Sequence, residues 1–541
     1  MHLDEPVLHG QPLSREESLE RLSSTNLDVL VIGGGINGAV SALALSAHGL
    51  KVGLVEAGDL ASGTSQESSN MVWGGFKYLE SYDLRLVAGL CGSRNRLANA
   101  YPSRILETRF MAVLGEKAPF SPWFSTLGAN AYWGLGRFHT HRPRHRSAST
   151  IARLEPSIKI DGARGGIEYS DYLLVDNDAR FVSEMAIEAE RHGAVVTNYV
   201  SFDEAEQLHD RWSVSLTDQE TGETLLATAK VLVNAAGPRL SEVGLVTGST
   251  TLNRLVFSKG VHLTVPRVTD SGRILAFFDD TERLFYVLPM GGRSIIGTTD
   301  TPVDDPDVTV TDGDRDFLIE QVSQRLSPAN RLRHSDVISE RCGVRALVVP
   351  PGGSSKRRDW TELSRRHAVE SDDQRRVVSI LGGKLSDCLN VGTEVVEAVR
   401  RCGLHPMRPA VQWYGEPSQA ERTVALERAA SLGVPPDTAM LMWRRNGRRT
   451  GEILDLIRND ASLGMSLGGL DTLSAAEVTV MARHEKVLHP VDFLRRRTML
   501  AMLHTSETLA ADEGVRNAVR LLLGPKGLTE LAEAATVPDD G

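Results

Sequence analysis

The stretch Asp28–Glu56, DVLVIGGGINGAVSALALSAHGLKVGLVE, decides how the whole chain is interpreted. It opens with a short, valine-rich apolar run, as expected of a buried parallel strand. The run breaks into Gly33–Gly38, which satisfies the pattern G-x-G-x-x-G, and small apolar residues then recur at helical spacing. A second apolar run, Lys51–Val55, ends at Glu56. The stretch therefore predicts a strand, a glycine turn, a helix and a second strand.

The spacing of these residues has a physical basis. Gly33 allows the tight turn, Gly35 lets the backbone approach a pyrophosphate, and Gly38 lets the helix pack closely on the strand. The helix N-terminus offers free N–H groups and a positive dipole end to the phosphates. Glu56 lies about 20 residues further on, where a carboxylate would bind the adenosine ribose hydroxyls. We therefore predict a dinucleotide site; an ordinary glycine-rich turn would leave Glu56 and both strands unexplained.

A loop rich in hydroxyl groups and glycine follows, Gly58–Ser69. A nicotinamide-binding domain would normally continue here into a helix and a third strand. This loop can instead wrap a larger cofactor, with its hydroxyl and N–H groups reaching a ribityl chain and a pyrophosphate. The alternative is a flexible surface loop.

Length and composition narrow the classes of protein. The chain has 541 residues, enough for a large core and two or three domains. A net charge of −10 argues against a general nucleic-acid binder. No apolar run of about 18 residues exists, so we expect a cytoplasmic protein whose membrane contact, where present, is peripheral and on the inner face. The cysteines show neither a C-x-x-C pair nor a metal spacing, so we expect reduced thiols and no metal site. They are Cys91, Cys342, Cys388 and Cys402.

The order of patterns predicts an α/β fold with three parts. Residues 1–26 are polar and acidic, with no secretory signal, and we expect a mobile arm with one short helix near Ser14–Arg21. Residues 27–410 combine a Rossmann-type cofactor domain of the glutathione-reductase kind with an antiparallel substrate-domain sheet. Residues 411–541 read as a C-terminal all-α domain. We expect the cofactor domain to use segments of about 27–110, 165–260 and 340–400, and the substrate domain to use about 111–164 and 261–339.

Residues 120–146 have an unusual composition. Six aromatic residues lie between Phe120 and Phe138, in a chain that is only 5% aromatic. Arg137–Arg146 then contributes four arginines and three histidines. An apolar face beside a basic cluster suits a peripheral contact with anionic lipid. The alternative is a domain-packing helix followed by a solvated basic loop.

A set of ordered motifs resembles the FAD-dependent glycerol-3-phosphate dehydrogenases, within the D-amino-acid-oxidase-like flavoproteins. The resemblance covers about residues 27–510. It is carried by Gly33–Gly38, Glu56–Ser65, Gly74–Glu80, Ser258–His262, Pro289, Gly297–Thr301, Gly382–Leu385 and the segment Glu485–Thr498, which ends Leu-Arg-Arg-Arg-Thr.

The resemblance implies FAD as cofactor and oxidation of a CH–OH group by hydride transfer to flavin N5. The substrate would be sn-glycerol 3-phosphate, giving dihydroxyacetone phosphate, and a quinone or oxygen would accept the electrons. The resemblance leaves open whether the protein is a homodimer. The residues implied to contact FAD are Gly33, Gly35, Asn37, Gly38, Glu56, Ala57, Ser62, Gly63, Thr64, Ser65, Val200, Ala236, Gly237, Gly383, Lys384, Leu385 and Ser386.

The implied chemistry also assigns the substrate side. A phosphate requires a guanidinium or ammonium clamp, and the family positions for it are Arg345, Arg365 and Lys384. Lys77 and Tyr78 would orient the carbon that is oxidised. The proton acceptor stays open, and the titratable candidates are His262, His367 and Tyr78.

The chain departs from the family pattern where the substrate should lie. Trp73 replaces the usual histidine and cannot accept a proton. Lys77 replaces an arginine, so the charge stays but the planar fork is lost. Asn70 replaces a lysine, and Ser386-Asp387 replaces a hydroxyl pair, which adds an acid near the flavin. The cofactor motifs are unchanged, which indicates a divergent member with a retained cofactor.

Three functions are consistent with this pattern. The first is oxidation of glycerol 3-phosphate or a related polyol phosphate. The second is oxidation of another hydroxy acid or an amine by the same flavin chemistry. The third is a flavin-binding protein that no longer turns over.

Overall fold

The computed structural model describes residues 13–79, 83–115, 118, 120–278, 284–352, 367–408, 412–470 and 472–535. Within these ranges the strands are β1 Asn26–Ile32, β2 Val52–Val55, β3 Met71–Val72, β4 Ile105–Gly115, β5 Arg144–Arg146, β6 Ala163–Leu174, β7 Val195–Thr197, β8 Val200–Leu208, β9 Arg211–Asp218, β10 Thr224–Asn234, β11 Arg254–Pro266, β12 Ile274–Phe278, β13 Leu284–Met290, β14 Arg293–Gly297, β15 Thr301–Val303, β16 Ser339–Val349, β17 Ala368–Asp372 and β18 Val377–Leu381.

The α-helices of the described residues alternate with these strands and then continue alone. They are α1 Arg15–Ser24, α2 Ile36–Ala47, α3 Leu84–Ala100, α4 Pro122–Leu135, α5 Ala148–Leu154, α6 Asp178–Arg191, α7 Leu240–Thr247, α8 Asp312–Ser323, α9 Cys388–Arg401, α10 Gln419–Ser431, α11 Pro436–Asn446, α12 Thr450–Asn459, α13 Ala475–His484, α14 Leu500–Leu503, α15 Ser506–Ala511 and α16 Glu513–Ala534.

The first sheet carries the predicted strand–turn–helix unit. Its strand order is β17-β18-β10-β1-β2-β7, and β8 and β9 extend it as an antiparallel meander from β10. β1 pairs in parallel with β2 and β10, and β10 pairs in parallel with β18. Ile32 therefore lies opposite Asn234 at the carboxyl ends of adjacent strands. Ligands bind at this edge in open parallel sheets, because the turns that follow the strands converge there.

The second sheet is mainly antiparallel. Its order is β15-β11-β14-β13-β12-β4-β6-β3, with β16 on β11 and β5 on β6. The predicted antiparallel sheet is confirmed. Together the two sheets and the C-terminal helices confirm the predicted fold class.

The predicted division of segments between the two domains needs correction. β6 and β16 were expected in the cofactor domain, but they are strands of the second sheet, where β6 pairs with β4 and β16 with β11. Helix α6 follows β6 and begins at Asp178. Ten consecutive residues of β6 are buried because both of its faces are covered, so the strand lacks the polar–apolar alternation that identifies a half-exposed strand.

The mobile arm predicted for residues 1–26 is wrong over residues 14–26. Ser14 caps α1 in a capping box with Glu17, and Leu22 is fully buried. Arg15 also donates to the backbone carbonyl of Asn198, 2.8 Å away. The apolar contact and the capping box stabilise α1 on the first sheet. Residues 1–12 lie outside the described part of the chain.

Helices α10 to α16 form the C-terminal domain, with a kink in α16 at Gly524. Between α13 and α14 lies a π-helical turn, Asp492–Arg497, which we call the arginine turn after Arg495, Arg496 and Arg497. In the described ranges, every helix is too short or too polar to cross a membrane.

Candidate active site

The glycine turn after β1 can be built only from glycine at two positions. Gly33 has φ +104°, and a Cβ there would lie 2.6 Å from the carbonyl oxygen of Ala235. A Cβ on Gly38 would lie 1.8 Å from the carbonyl oxygen of Gly33. The absence of a side chain at Gly33 lets the turn pack against β10, and its absence at Gly38 lets α2 pack on the turn, as the spacing predicts.

Backbone N–H groups of this turn donate hydrogen bonds to two side chains that are expected to contact the cofactor. Gly34 N–H donates to Glu56 Oε2 at 2.6 Å, and Ile36 N–H donates to Ser65 Oγ at 2.9 Å. Burial raises the pKa of Glu56, and the N–H groups of Gly58 and Gly34 oppose that shift. The arrangement thus concentrates donors for an anion and one buried carboxylate at the start of α2.

Two further observations fit FAD at this edge. Asn37 is buried in the first turn of α2, and its Oδ1 has no hydrogen-bond partner among the described residues. Its Nδ2 donates to the carbonyl of Gly382 at 2.8 Å, which joins the turn after β18 to the turn after β1. Gly383 has φ +116°, and a Cβ there would meet Asn37 Oδ1 at 2.8 Å. The two glycine turns thus form one cradle with a free buried acceptor.

The other residues predicted to contact the cofactor differ in how far they are exposed to solvent. Ala57, Gly63, Thr64 and Gly383 are exposed, whereas Ser62, Ser65, Ala236, Gly237, Lys384 and Leu385 are half-buried and Ser386 is buried. Val200 is fully buried, and its N–H donates to the carbonyl of Glu56 at 2.8 Å. An adenine contact of the Val200 backbone therefore cannot use this N–H.

Two predicted substrate residues, Tyr78 and Lys384, lie together. Lys384 Nζ donates to the Tyr78 hydroxyl at 3.4 Å and lies 5.0 Å from the centre of its ring. The Trp73 ring lies beside Tyr78 as well, with the centres of the two rings 6.0 Å apart. The structure therefore links the Gly-Gly-Lys turn after β18 to the motif around Gly74.

Arg345 and His262 share one face of the second sheet. A Cβ on Gly260 would meet Arg345 Nη2 at 2.2 Å, so the guanidinium lies flat over that glycine. Arg345 Nη2 donates to Thr298 Oγ1 at 2.7 Å, and the preceding residue, Val344, accepts from Thr64 Oγ1 at 2.9 Å. This face is therefore joined directly to the hydroxyl-rich cofactor loop.

His262 is a buried, neutral imidazole. Burial lowers its pKa well below the ordinary value, and the nearby charges of Arg341 and Arg345 lower the pKa further. Neither ring nitrogen has a hydrogen-bond partner among the described residues. A neutral ring with an available nitrogen can accept a proton or a hydrogen bond.

His367 differs from His262 in charge. Burial acts to lower its pKa, but hydrogen bonds to Asp387 and Glu394 outweigh burial and raise the pKa to about 9. Its Nδ1 lies 2.9 Å from Asp387 Oδ2, and Ser93 Oγ donates to the other oxygen of Asp387. An imidazole with a raised pKa is protonated at neutral pH and has no nitrogen available to accept a proton, which argues against His367 as the base.

The structure places the remaining predicted residues elsewhere. Lys77 borders an apolar cavity of about 210 Å³ between α4 and the second sheet. Asn70, which departs from the family lysine, is fully buried with φ +57° and donates to the carbonyls of Leu174 and Asp176. It therefore anchors a turn. Arg365 lies outside the described residues.

Comparisons with known proteins agree with this architecture. The FAD dependent oxidoreductase family matches residues 28–364, and the C-terminal domain of alpha-glycerophosphate oxidase matches residues 410–524. The chain is 30% identical to glycerol-3-phosphate dehydrogenase 2 of Mycobacterium tuberculosis (strain ATCC 25618 / H37Rv), over 95% of this chain and 88% of that protein. It is 28% identical to the aerobic glycerol-3-phosphate dehydrogenase of Staphylococcus haemolyticus, over 90% and 89% of the two chains.

Solved structures show the same fold. Glycerol-3-phosphate dehydrogenase from Bacillus halodurans, complexed with FAD, superposes with a TM-score of 0.71 at 24% identity, covering 96% of this chain and 95% of that one. L-alpha-glycerophosphate oxidase from Mycoplasma pneumoniae, with FAD bound, superposes with a TM-score of 0.54 at 18% identity, over 73% and 100% of the chains. The chain belongs to the FAD-dependent oxidoreductase family, in its glycerol-3-phosphate dehydrogenase branch.

Proposed function

We propose that this FAD-dependent oxidoreductase oxidises the secondary hydroxyl of sn-glycerol 3-phosphate, or of a closely related polyol phosphate, to the ketone. The observation that carries the proposal is Arg345, a half-buried guanidinium on the sheet face joined to the cofactor loop. The names of the relatives support the same substrate, since those of M. tuberculosis and S. haemolyticus are glycerol-3-phosphate dehydrogenases.

Arg345 suits the phosphate because of its planar fork. Thr298 and the carbonyl of Thr299 hold its two terminal nitrogens in place at 2.7 and 3.2 Å. A guanidinium held in this way binds two phosphate oxygens at once, with little entropy lost on binding. Lys384 would add a second positive charge beside the Tyr78 hydroxyl.

His262 is the proton acceptor that we assign. FAD, when bound, takes the hydride from the substrate carbon, so the protein must only remove the hydroxyl proton. The charge of Arg345 helps to lower the pKa of His262. A phosphate dianion on Arg345 would offset that charge and raise the pKa of His262, so that substrate binding itself would strengthen the base.

An anaerobic titration tests the proposal. Glycerol 3-phosphate should bleach the oxidised flavin spectrum, whereas glycerol, which has the same hydroxyl and no phosphate, should not bleach it at matched concentration. A spectrum that stays oxidised with glycerol 3-phosphate but bleaches with a hydroxy acid or an amine would replace this substrate by the second class.

A specific observation supports that second class. Trp73 and Lys77 occupy the positions of the family histidine and arginine, and Lys77 borders the apolar cavity. A substrate with an apolar substituent would make more favourable contacts with these residues than glycerol 3-phosphate does. Comparing kcat/KM for glycerol 3-phosphate with that for apolar hydroxy acids and amines discriminates the two classes.

We also propose a quinone as the electron acceptor. The register of the second sheet places His262, Gly297, Tyr286, Ala276 and Ala112 in one row on one face. The same row ends in the floor of the apolar cavity, so the cavity lies along the sheet from the assigned base. Filling it by Ala131→Phe should lower turnover with a short-chain quinone and leave turnover with a water-soluble dye unchanged. Equal rates with oxygen and quinone would favour an oxidase.

A lipid contact of α4 would bring such an acceptor to the cavity. Trp123, Leu127 and Phe138 are 75%, 68% and 63% exposed, and Arg137 and Arg142 beside them are exposed as well. The protein should then co-sediment with anionic vesicles, and salt should weaken binding. Leu127→Ser should reduce binding, while Leu252→Ser, at a leucine beyond α7 that is 81% exposed, should not. Absence of binding at every salt concentration would exclude the contact.

A further inference from the structure

The arginine turn of the C-terminal domain contacts the cofactor loop through Asp59. Arg497 Nη1 and Nη2 donate to the two oxygens of Asp59 at 2.7 and 2.8 Å, and Arg496 Nε donates to Oδ2 at 2.6 Å. The side chains of Asp59 and Arg497 are both 0% exposed. Asn198 Nδ2 completes the shell at 2.8 Å. The Asp59 carboxylate is thus held by four donors in a fully buried site.

Asp59 lies in the loop Gly58–Ser69, which contacts the cofactor cradle. Two residues later, Ala61 N–H donates to the carbonyl of Gly34 at 3.1 Å, which ties the loop to the glycine turn. Ser65, in the same loop, accepts from Ile36 N–H at the start of α2. The loop that carries Asp59 is therefore joined to the glycine turn by one backbone hydrogen bond and by one hydrogen bond to the Ser65 side chain.

The arginine turn also contacts the far end of the loop. Arg495 donates to the carbonyl of Gln66 and lies 3.4 Å from Glu67 Oε1. Arg497 also donates to the carbonyl of Glu485, at 3.0 Å from Nε and 2.8 Å from Nη2, so it is fixed within its own domain. The loop Gly58–Ser69 is thus fixed at both ends by three consecutive arginines.

We propose that the arginine turn retains the cofactor: its contacts position the loop Gly58–Ser69, so that FAD affinity depends on these contacts. Coupling between two sites is reciprocal, so FAD must stabilise the docked arginine turn by the same factor. The inference rests on FAD binding and is independent of the proposed substrate, because it is measured without any substrate.

The buried ion pair does not by itself imply such a role, since removing one partner of any buried pair destabilises a fold. A matched control exists in the same interface. Arg180 of α6 forms a buried pair with Glu485 of the C-terminal domain at 2.7 Å. It makes no contact with the loop Gly58–Ser69 among the interactions of the described residues.

The test compares FAD dissociation constants of flavin-stripped protein, measured by flavin fluorescence. Asp59→Asn, which keeps the shape and removes the charge, should raise Kd about tenfold or more. Arg180→Met should lower the unfolding temperature of the flavin-free protein and leave the Kd within about twofold of the unmodified chain. A Kd for Asp59→Asn that matches Arg180→Met would overturn the proposal and leave Asp59 as a structural residue.

A second measurement needs no buried variant. Amide hydrogen exchange of residues 485–498 should slow when FAD is added to the unmodified flavin-stripped protein, because coupling is reciprocal. Arg495→Lys, at the edge of the turn, should raise the Kd for FAD by a smaller factor than Asp59→Asn. Exchange in 485–498 that FAD does not change would contradict the proposal, even where the variants fail to fold.

Discussion

The cofactor cradle differs in what specifies it from the substrate corner, our name for the proposed substrate-binding residues Trp73, Tyr78, Arg345 and Lys384. The cradle depends on backbone: Gly33 and Gly38 admit no Cβ, and the donors of the turn are N–H groups. The substrate corner depends on side-chain ends, such as Arg345 and Lys384, and its departures from the family, Trp73 and Asp387, have acquired local partners. A backbone site tolerates few changes, whereas a side-chain site can be altered while the fold stays the same.

The largest expected effect is in the cradle. Gly38→Val should abolish FAD binding, because even the Cβ would lie 1.8 Å from a backbone carbonyl oxygen that cannot move without opening the turn. Flavin content after purification and reconstitution measures the loss. Gly92→Ala is the matched control, since Gly92 lies within α3 and a Cβ there meets nothing within 4 Å. Normal flavin content in Gly38→Val would show that the backbone does not limit this site.

The next effect is in the substrate corner. Arg345→Ala should raise KM for glycerol 3-phosphate about 100-fold, close to 3 kcal/mol, because it removes a bidentate charged contact. Flavin content should stay normal, which is the contrast with the cradle. Steady-state kinetics with glycerol 3-phosphate and with an unphosphorylated polyol measure the change in KM. An equal loss on both substrates would mean that Arg345 does not bind the phosphate.

We expect the free energy of unfolding to depend on pH, because Asp387, which departs from the family pattern, pairs with His367. The folded-state pKa of His367 is raised from 6.5 to about 9, so the charged pair stabilises the fold fully below pH 6.5 and is lost as the pH rises through 9. The stability lost across that window should be about 2 to 3 kcal/mol. Urea unfolding at pH 6 and pH 9.5 measures this loss. His367→Gln should flatten the profile; an unchanged slope would contradict the assignment.

The smallest expected effect comes from a double substitution that restores the family residues. Trp73→His combined with Lys77→Arg should raise kcat/KM for glycerol 3-phosphate by about threefold to tenfold if the corner still binds that substrate, since a second base and a planar fork return. FAD affinity should stay unchanged. A decrease in kcat/KM would indicate that the corner has been adapted to another substrate.

Much of the cradle could be predicted because its residues are close in sequence. Gly33, Gly38 and Glu56 lie within one strand–turn–helix–strand unit, where spacing alone sets geometry. Asp59 and Arg497 could not be paired in this way, since more than 430 residues separate them and a row of arginines normally marks a solvated surface. His262 and His367 were indistinguishable as candidate bases, because their charge depends on neighbours supplied by other strands and helices.

The sequence by itself determined the dinucleotide turn and the alternation of sheet and helix, because local periodicity and short-range glycine spacing carry that information; the family and FAD followed from the resemblance of its ordered motifs. Only the tertiary structure decided which strands joined which sheet, as with β6, which pairs with β4, and β16, which pairs with β11. It also decided which histidine is neutral, and that the C-terminal domain reaches the cofactor loop. The physical reason is that pairing between distant segments sets desolvation and charge, and a linear pattern does not encode that pairing.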